Sequence, residues 1–245
     1  MKNESENTTA GTAELPKRFY ADVSTEAAPG GWRILLDGRT VKTPMRAELI
    51  LPTRPLAEAI AEEWRRQGER IDPRSMPLTK LANSALDAVT ADTEAVAGDV
   101  LNFAGRDLLC YRAASPRELA ERQRLSWDPL LQWAAEHYGA RLVMTEGVMP
   151  IDQPRESIAA LRTACTCLDG FGLTALHVMT ALTGSAVLAL AHMGGRLSLE
   201  DAWAGAHVDE DFQMEQWGED YEAKRRREGR FAEMRAASDF FRLSR

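Results

Sequence analysis

The sequence predicts an α+β fold with segregated elements, a small β-rich N-terminal domain followed by a larger, mainly helical one. Three observations carry this. Short apolar runs bounded by Pro-Gly and Asp-Gly turns fill the first part of the chain. From residue 53 the apolar period lengthens to that of a helix and stays there. Strands and helices do not alternate, which argues against a parallel βαβ sheet. The division expected is a disordered tail over 1–15, a β-rich domain over 16–52 and a helical domain over 53–245.

The opening MKNESENTTAGTAELP has no apolar core of a secretory signal and none of the arginines of a mitochondrial presequence. RFYADV alternates and predicts a strand, followed by the turn residues Pro29-Gly30-Gly31. In WRILLDGRTVKTP two apolar runs flank Asp37-Gly38, a strong hairpin sign, and ELILP gives one more strand ending at Pro52. Thr53 can cap a helix with Pro55 in its first turn and Leu56, Ile60 and Trp64 at four-residue spacing. IDPRSMP is too rich in proline for a helix and reads as an extended connector.

Leu78, Leu81, Ala82, Ala85, Leu86 and Val89 then form one apolar stripe, and a further helix runs through Val96, Val100 and Phe103. DLLCYRA fits either a strand or a buried link. Ser115-Pro116-Arg117-Glu118 reads as a capping box, and Pro129 should interrupt the helix it starts, leaving Trp127–Tyr138 separate or kinked. RLVMTEG predicts a strand, and helices follow over about Pro154–Leu168 and again after Ser198-Leu199-Glu200-Asp201. Between Asp169 and Arg196 lie 26 residues without a charge. His177, His192, Gly184 and several threonines within them favour a helix pair broken near Gly184, or one buried helix, over a membrane span.

Composition narrows the function. The 245 residues, 44% hydrophobic and 27% charged, suffice for a core without disulfides. With 37 acidic against 30 basic side chains the net charge is -7, which disfavours nucleic acid as a partner. Lys224-Arg225-Arg226-Arg227 accordingly reads as a solvated helix end. Three cysteines suit a reducing compartment. Cys165 and Cys167 point about 200° apart on a helix, which is poor for chelation, so apolar packing is expected of them. Phosphate-binding glycine loops, a nucleophile elbow and a zinc helix are all missing from the sequence. No catalytic residue, cofactor or metal ligand is expected.

The most unusual segment runs from Ser198 to Glu222, with nine acidic residues, no lysine or arginine, and the aromatics Trp203, Phe212, Trp217 and Tyr221. At helical spacing Trp203, His207, Glu210, Met214, Trp217 and Tyr221 share a face. An acid at Glu210 within that stripe needs a partner. An arginine elsewhere in the chain could supply it, or another protein could. A catalytic carboxylate would need a second titratable group, and the sequence points to none.

Taken in order, RFYADV, LLDGRTVKTP, EEWRRQ, IDPRSMPLTKLANSALD, DLLCYR, WDPLLQWA and DEDFQMEQWGED resemble the ATP-twelve family of ATP synthase assembly chaperones. The resemblance implies a protein that is not an enzyme. Such proteins bind the free α subunit of F-type ATP synthase, shield the surface that the β subunit later covers, and give way as the hexamer forms. It places the late motif at Asp209, Glu210, Phe212, Gln213 and Trp217. Client-binding candidates are thus Trp203, His207, Asp209, Glu210, Gln213, Met214 and Trp217. Trp64 and Met76-Pro77-Leu78-Thr79 are expected to pack the β-rich domain on the helices. A bacterial, cytoplasmic, monomeric homologue of a mitochondrial-matrix family is expected, without stable membrane insertion. The alternative is a small-molecule enzyme of unrecognised class.

Overall fold

A computed structural model describes residues 15–218 and 220–245, so all but the last residue of the expected tail lies outside the described residues. Strands β1 (Val23–Ala28) and β2 (Gly31–Leu36) form an antiparallel hairpin, Val23 opposite Leu36 and Ala28 opposite Gly31. β3 (Arg39–Thr40) returns along β2 through Asp37-Gly38, both at positive φ (49° and 75°) as a tight hairpin turn requires. β4 (Ile50–Leu51) pairs with the start of β2. It approaches so closely that a Cβ on Gly31 would meet the Leu51 carbonyl oxygen at 2.1 Å.

The strand expected over RFYADV starts instead at Val23. Among the described residues no strand pairs with Phe19 to Asp22. The Asp37 carboxylate accepts from the backbone of Ala21 and Asp22, and the Tyr20 hydroxyl donates to the Trp64 carbonyl at 2.7 Å. Helix α1 (Arg54–Arg65) begins at Thr53, whose hydroxyl accepts from Leu56 N at 3.2 Å, and buries Leu56, Ala57, Ile60 and Ala61. The connector is not fully extended, because Asp72 caps a short 3-10 turn over Pro73–Ser75.

Helix α2 (Pro77–Ser84) has no cap of its own. Glu63, from α1, supplies one by accepting from Leu78 N at 2.7 Å and from the Thr79 amide and hydroxyl at 2.8 and 2.7 Å. A wider π turn over Ala85–Val89 follows. From it Asp87 accepts from Thr43 Oγ1 at 2.5 Å and Met45 N at 3.0 Å, tying sheet to helices.

Next come α3 (Thr93–Ala104), a 3-10 turn over Leu108–Cys110, β5 (Tyr111–Arg112) and α4 (Arg117–Tyr138). Two expectations fail at α4. Pro116 is the capping residue, which puts Glu118 one place short of a capping box, and no side chain caps this end. Pro129 does not divide the helix. It and Leu125, whose carbonyl loses its partner, are both exposed, so water can serve that carbonyl. Of the RLVMTEG strand only β6 (Thr145–Glu146) forms, parallel to β5.

The remaining helices are α5 (Arg155–Thr166), α6 (Gly170–Thr183), α7 (Ala186–Met193), α8 (Leu199–Ala206), α9 (Val208–Trp217) and α10 (Tyr221–Leu243). The uncharged stretch is a broken pair, α6 and α7, hinged at Gly184 with φ 69°. Leu173, Leu176 and Met179 of α6 are fully buried, and α3, α7 and α10 pack around that helix. Among the described residues no helix is long and apolar enough to cross a membrane. Cys165 is buried as expected, whereas Cys167 is exposed, since it lies past the end of α5.

Candidate functional site

The acidic, aromatic segment becomes two helices, not one. Ser198 caps α8, accepting from Asp201 N at 3.0 Å and donating to Asp201 Oδ2 at 2.7 Å. The helix stops at His207, whose amide donates to the Ala204 carbonyl and whose imidazole Nδ1 donates to the Trp203 carbonyl at 2.7 Å. The two rings lie 4.0 Å apart, and His207 is only 3% exposed. The single stripe predicted from helical spacing is therefore corrected. Trp203 and His207 face the core, with Trp203 against Phe231 of α10, while later members of the stripe lie on α9 and beyond.

Three acids moor α9. Asp209 accepts from Gln123 Nε2 at 2.6 Å, and the other end of that buried glutamine accepts from Ala113 N at 2.8 Å. Glu215 receives both guanidinium nitrogens of Arg122 on α4, at 2.8 and 2.6 Å. Asp211 pairs with Arg227 of α10. Val208 and Phe212 are buried in a cluster with Trp127 and Leu130 of α4. Trp127 Nε1 also donates to the Gly205 carbonyl at 2.8 Å.

The rest of the segment faces outward. Glu210 and Gln213 are exposed, Met214 is half-buried, and Trp217 and Tyr221 are 82% and 78% exposed on either side of Gly218. Of the two partners open to Glu210, an arginine of the chain is not the one observed, since Arg227 pairs with Asp211 and Arg122 with Glu215. Among the described residues Glu210 Oε2 has only His207 Nε2, at 3.7 Å. Burial, above all, holds the His207 pKa below the usual histidine value. With Nδ1 donating to Trp203, the neutral ring turns a lone pair toward Glu210 and gives it no hydrogen bond. A surface acid on a helix that ends in an exposed tryptophan is suited to contacting another protein.

An open groove between α4 and α8–α9 borders this face, lined by Arg122, Leu125, Leu197, Val208 and Glu215. Neither Arg122 nor Leu125 was a sequence candidate. The one sign of it in the sequence was an apolar Leu125 on an otherwise charged turn of α4. The buried acid Asp107, its pKa raised by burial to about 6, lies away from this groove, accepting from Leu109 N and Val187 N at the start of α7.

The family model described as ATP12 chaperone protein matches residues 17–135. Over 214 residues the chain is 25% identical to "Protein atp12, mitochondrial" of Schizosaccharomyces pombe, covering 82% of this chain and 74% of that one. The solved structure of Atp12 from Paracoccus denitrificans superposes with a TM-score of 0.89 at 45% identity, over 94% of this chain and 99% of that one. The Atu1473 protein of Agrobacterium tumefaciens gives a TM-score of 0.90 at 48% identity, over 94% of this chain and 87% of that one. At that identity, with nearly the whole length of the Paracoccus protein covered, the chain belongs to the ATP12 chaperone family.

Proposed function

We infer that this chaperone holds the unassembled α subunit of F-type ATP synthase, shields its β-facing interface and is displaced when the β subunit arrives. Membership of the ATP12 chaperone family is the observation that carries this reading. Physical chemistry supports it. An unassembled ring subunit exposes apolar interface that aggregates unless covered. A holder that must later leave needs a partly polar contact of moderate area. The outward face of α9 is of that kind, carrying Glu210, Gln213, Met214 and Trp217, and exposed Tyr221 opens the next helix. In this reading Glu210, Gln213, Met214 and Trp217 touch the client. Trp203 and His207 stiffen the face from behind, and Asp209 fixes its angle through Gln123. The protein works as a monomer, since self-association through this face would hide it, and acts in the bacterial cytoplasm.

The test is to mix the protein with freshly refolded α subunit of the same organism, follow light scattering, and run size exclusion with β added last. Suppressed aggregation and a mixed complex that dissolves on adding β are expected. Unchanged aggregation with no complex would overturn the reading.

A further inference from the structure

A second outward feature lies between α4 and α5. Val148 is 90% exposed and Met149 73%, with Val143 and Met144 exposed beside them. Apolar side chains so placed would collapse onto the surface unless the backbone held them out, and here it is held. Gln153 bonds both backbone groups of Val143, donating to its carbonyl at 2.9 Å and accepting from its amide at 2.7 Å. Ser157 Oγ donates to the Arg141 carbonyl at 2.7 Å, and Gly147 N donates to the Arg112 carbonyl at 2.8 Å.

The parallel register sets Thr145 beside Tyr111 and Glu146 beside Arg112. With Gly147 N turned to β5, strand alternation turns the backbone groups of Met144 and Glu146 the other way, and Gly147, at φ 80°, ends the strand before Val148. No loop or turn bond among the described residues uses the amides of Met144, Val148 or Met149. The result is a short open strand edge with exposed Met144 at its start and exposed Val148 just past its end, and with one exposed acid, Glu146, that has no ion pair among the described residues. An open edge is completed by an extended chain, apolar side chains call for apolar ones, and a lone acid calls for a basic residue opposite. The same small sheet is tied to the α9 face from its β5 side, because Gln123 joins Ala113, next to β5, to Asp209.

We propose that the β6 edge takes an extended, apolar segment of the client, with one basic residue facing Glu146, as an added strand. The proposal rests on the chaperone reading above. Its test is amide hydrogen exchange on the full chain, alone, with a ten-residue peptide of alternating valine and threonine bearing one central lysine, and with the α subunit. Exchange at Met144 and Glu146 slows at least about tenfold with millimolar peptide and with α. Val148→Glu and Glu146→Pro each remove that protection with the thermal transition unmoved, the second because it deletes an outward amide. Glu146→Gln removes only the preference for lysine over threonine at the peptide centre.

Unchanged exchange with both peptide and α overturns the proposal. So does protection that grows with protein concentration alone, which would give the edge to a second copy. If α is captured with this segment unprotected, the proposal fails and the chaperone reading stands. If the peptide protects the edge but α is not captured, the chaperone reading fails and the edge remains a strand acceptor.

Discussion

Arg122 on α4 holds both carboxylate oxygens of Glu215, near the far end of α9, at 2.8 and 2.6 Å. Gln123, its neighbour on α4, holds Asp209 at the near end. Two adjacent residues of one helix thus fix both ends of another.

The consequence for Glu215 is a separation of stability from function. The pair is half exposed and adds little to folding, but it sets the angle of α9. Glu215→Arg should leave the thermal transition almost where it is and weaken α-subunit capture several-fold by size exclusion or calorimetry. Adding Arg122→Glu should restore capture. The hydrogen bond from Arg122 holds the Glu215 carboxyl below its usual range. A depressed carboxyl keeps its contribution above the unfolded pKa and loses it as pH falls through the folded one. The mooring therefore persists at neutral pH and fails only in acid.

Asp107 titrates in the opposite sense. Burial raises its folded pKa to about 6, above the ordinary 3.8. The fold then binds the proton more tightly than the unfolded chain does. The contribution of this residue to stability is greatest below the unfolded pKa and declines as pH rises toward 6. Asp107→Asn cannot titrate. Relative to that variant, the native protein should lose about 2 to 3 kcal/mol between about pH 4 and 7, as pH rises through the folded pKa, and almost nothing further above. Denaturant unfolding at three pH values would measure it, and a flat difference would show that the amides of Leu109 and Val187 offset the burial.

The fold was legible where the deciding interaction is local. Asp37-Gly38, the Thr53 and Ser198 caps and the break at Gly184 each act over a few residues, and all stand where the sequence places them. Interactions between distant residues were not legible. Nothing near Pro77 announces that Glu63 caps α2, and nothing near Glu215 announces Arg122, 93 residues away. At the site, the acidic and aromatic content of α9 could be read from the sequence, but its facing could not. One imidazole donating to the Trp203 carbonyl ends α8, and two of the six members of an apparent stripe turn inward, which residue spacing does not register.

His207 and Glu210 offer a second separation. Their contact is 3.7 Å, and the Glu210 charge works against the burial that lowers the His207 pKa. Glu210→Lys should lower it further, seen by NMR titration, and should abolish α capture with the thermal transition nearly intact. Because the neutral ring is favoured in the fold, stability is complete above the unfolded histidine pKa and declines as pH falls below it. The Lys variant should steepen that decline. If the variant fails to fold at neutral pH, Glu210 belongs to the core and cannot be a client contact.

Trp217 gives the sharpest test of the face because it does so little inside the chain. At 82% exposed, just before the helix-ending Gly218 with φ 89°, it buries little of its ring in the free protein. Trp217→Ala should change stability by less than about 0.5 kcal/mol. A tryptophan that becomes covered in a complex is the kind of residue that dominates binding, so the same change should weaken α capture at least about tenfold. In the native protein its fluorescence should shift to the blue as α binds, and the shift should vanish in the variant. A shift that survives the change would belong to another tryptophan, and unchanged capture would move the client off α9 altogether.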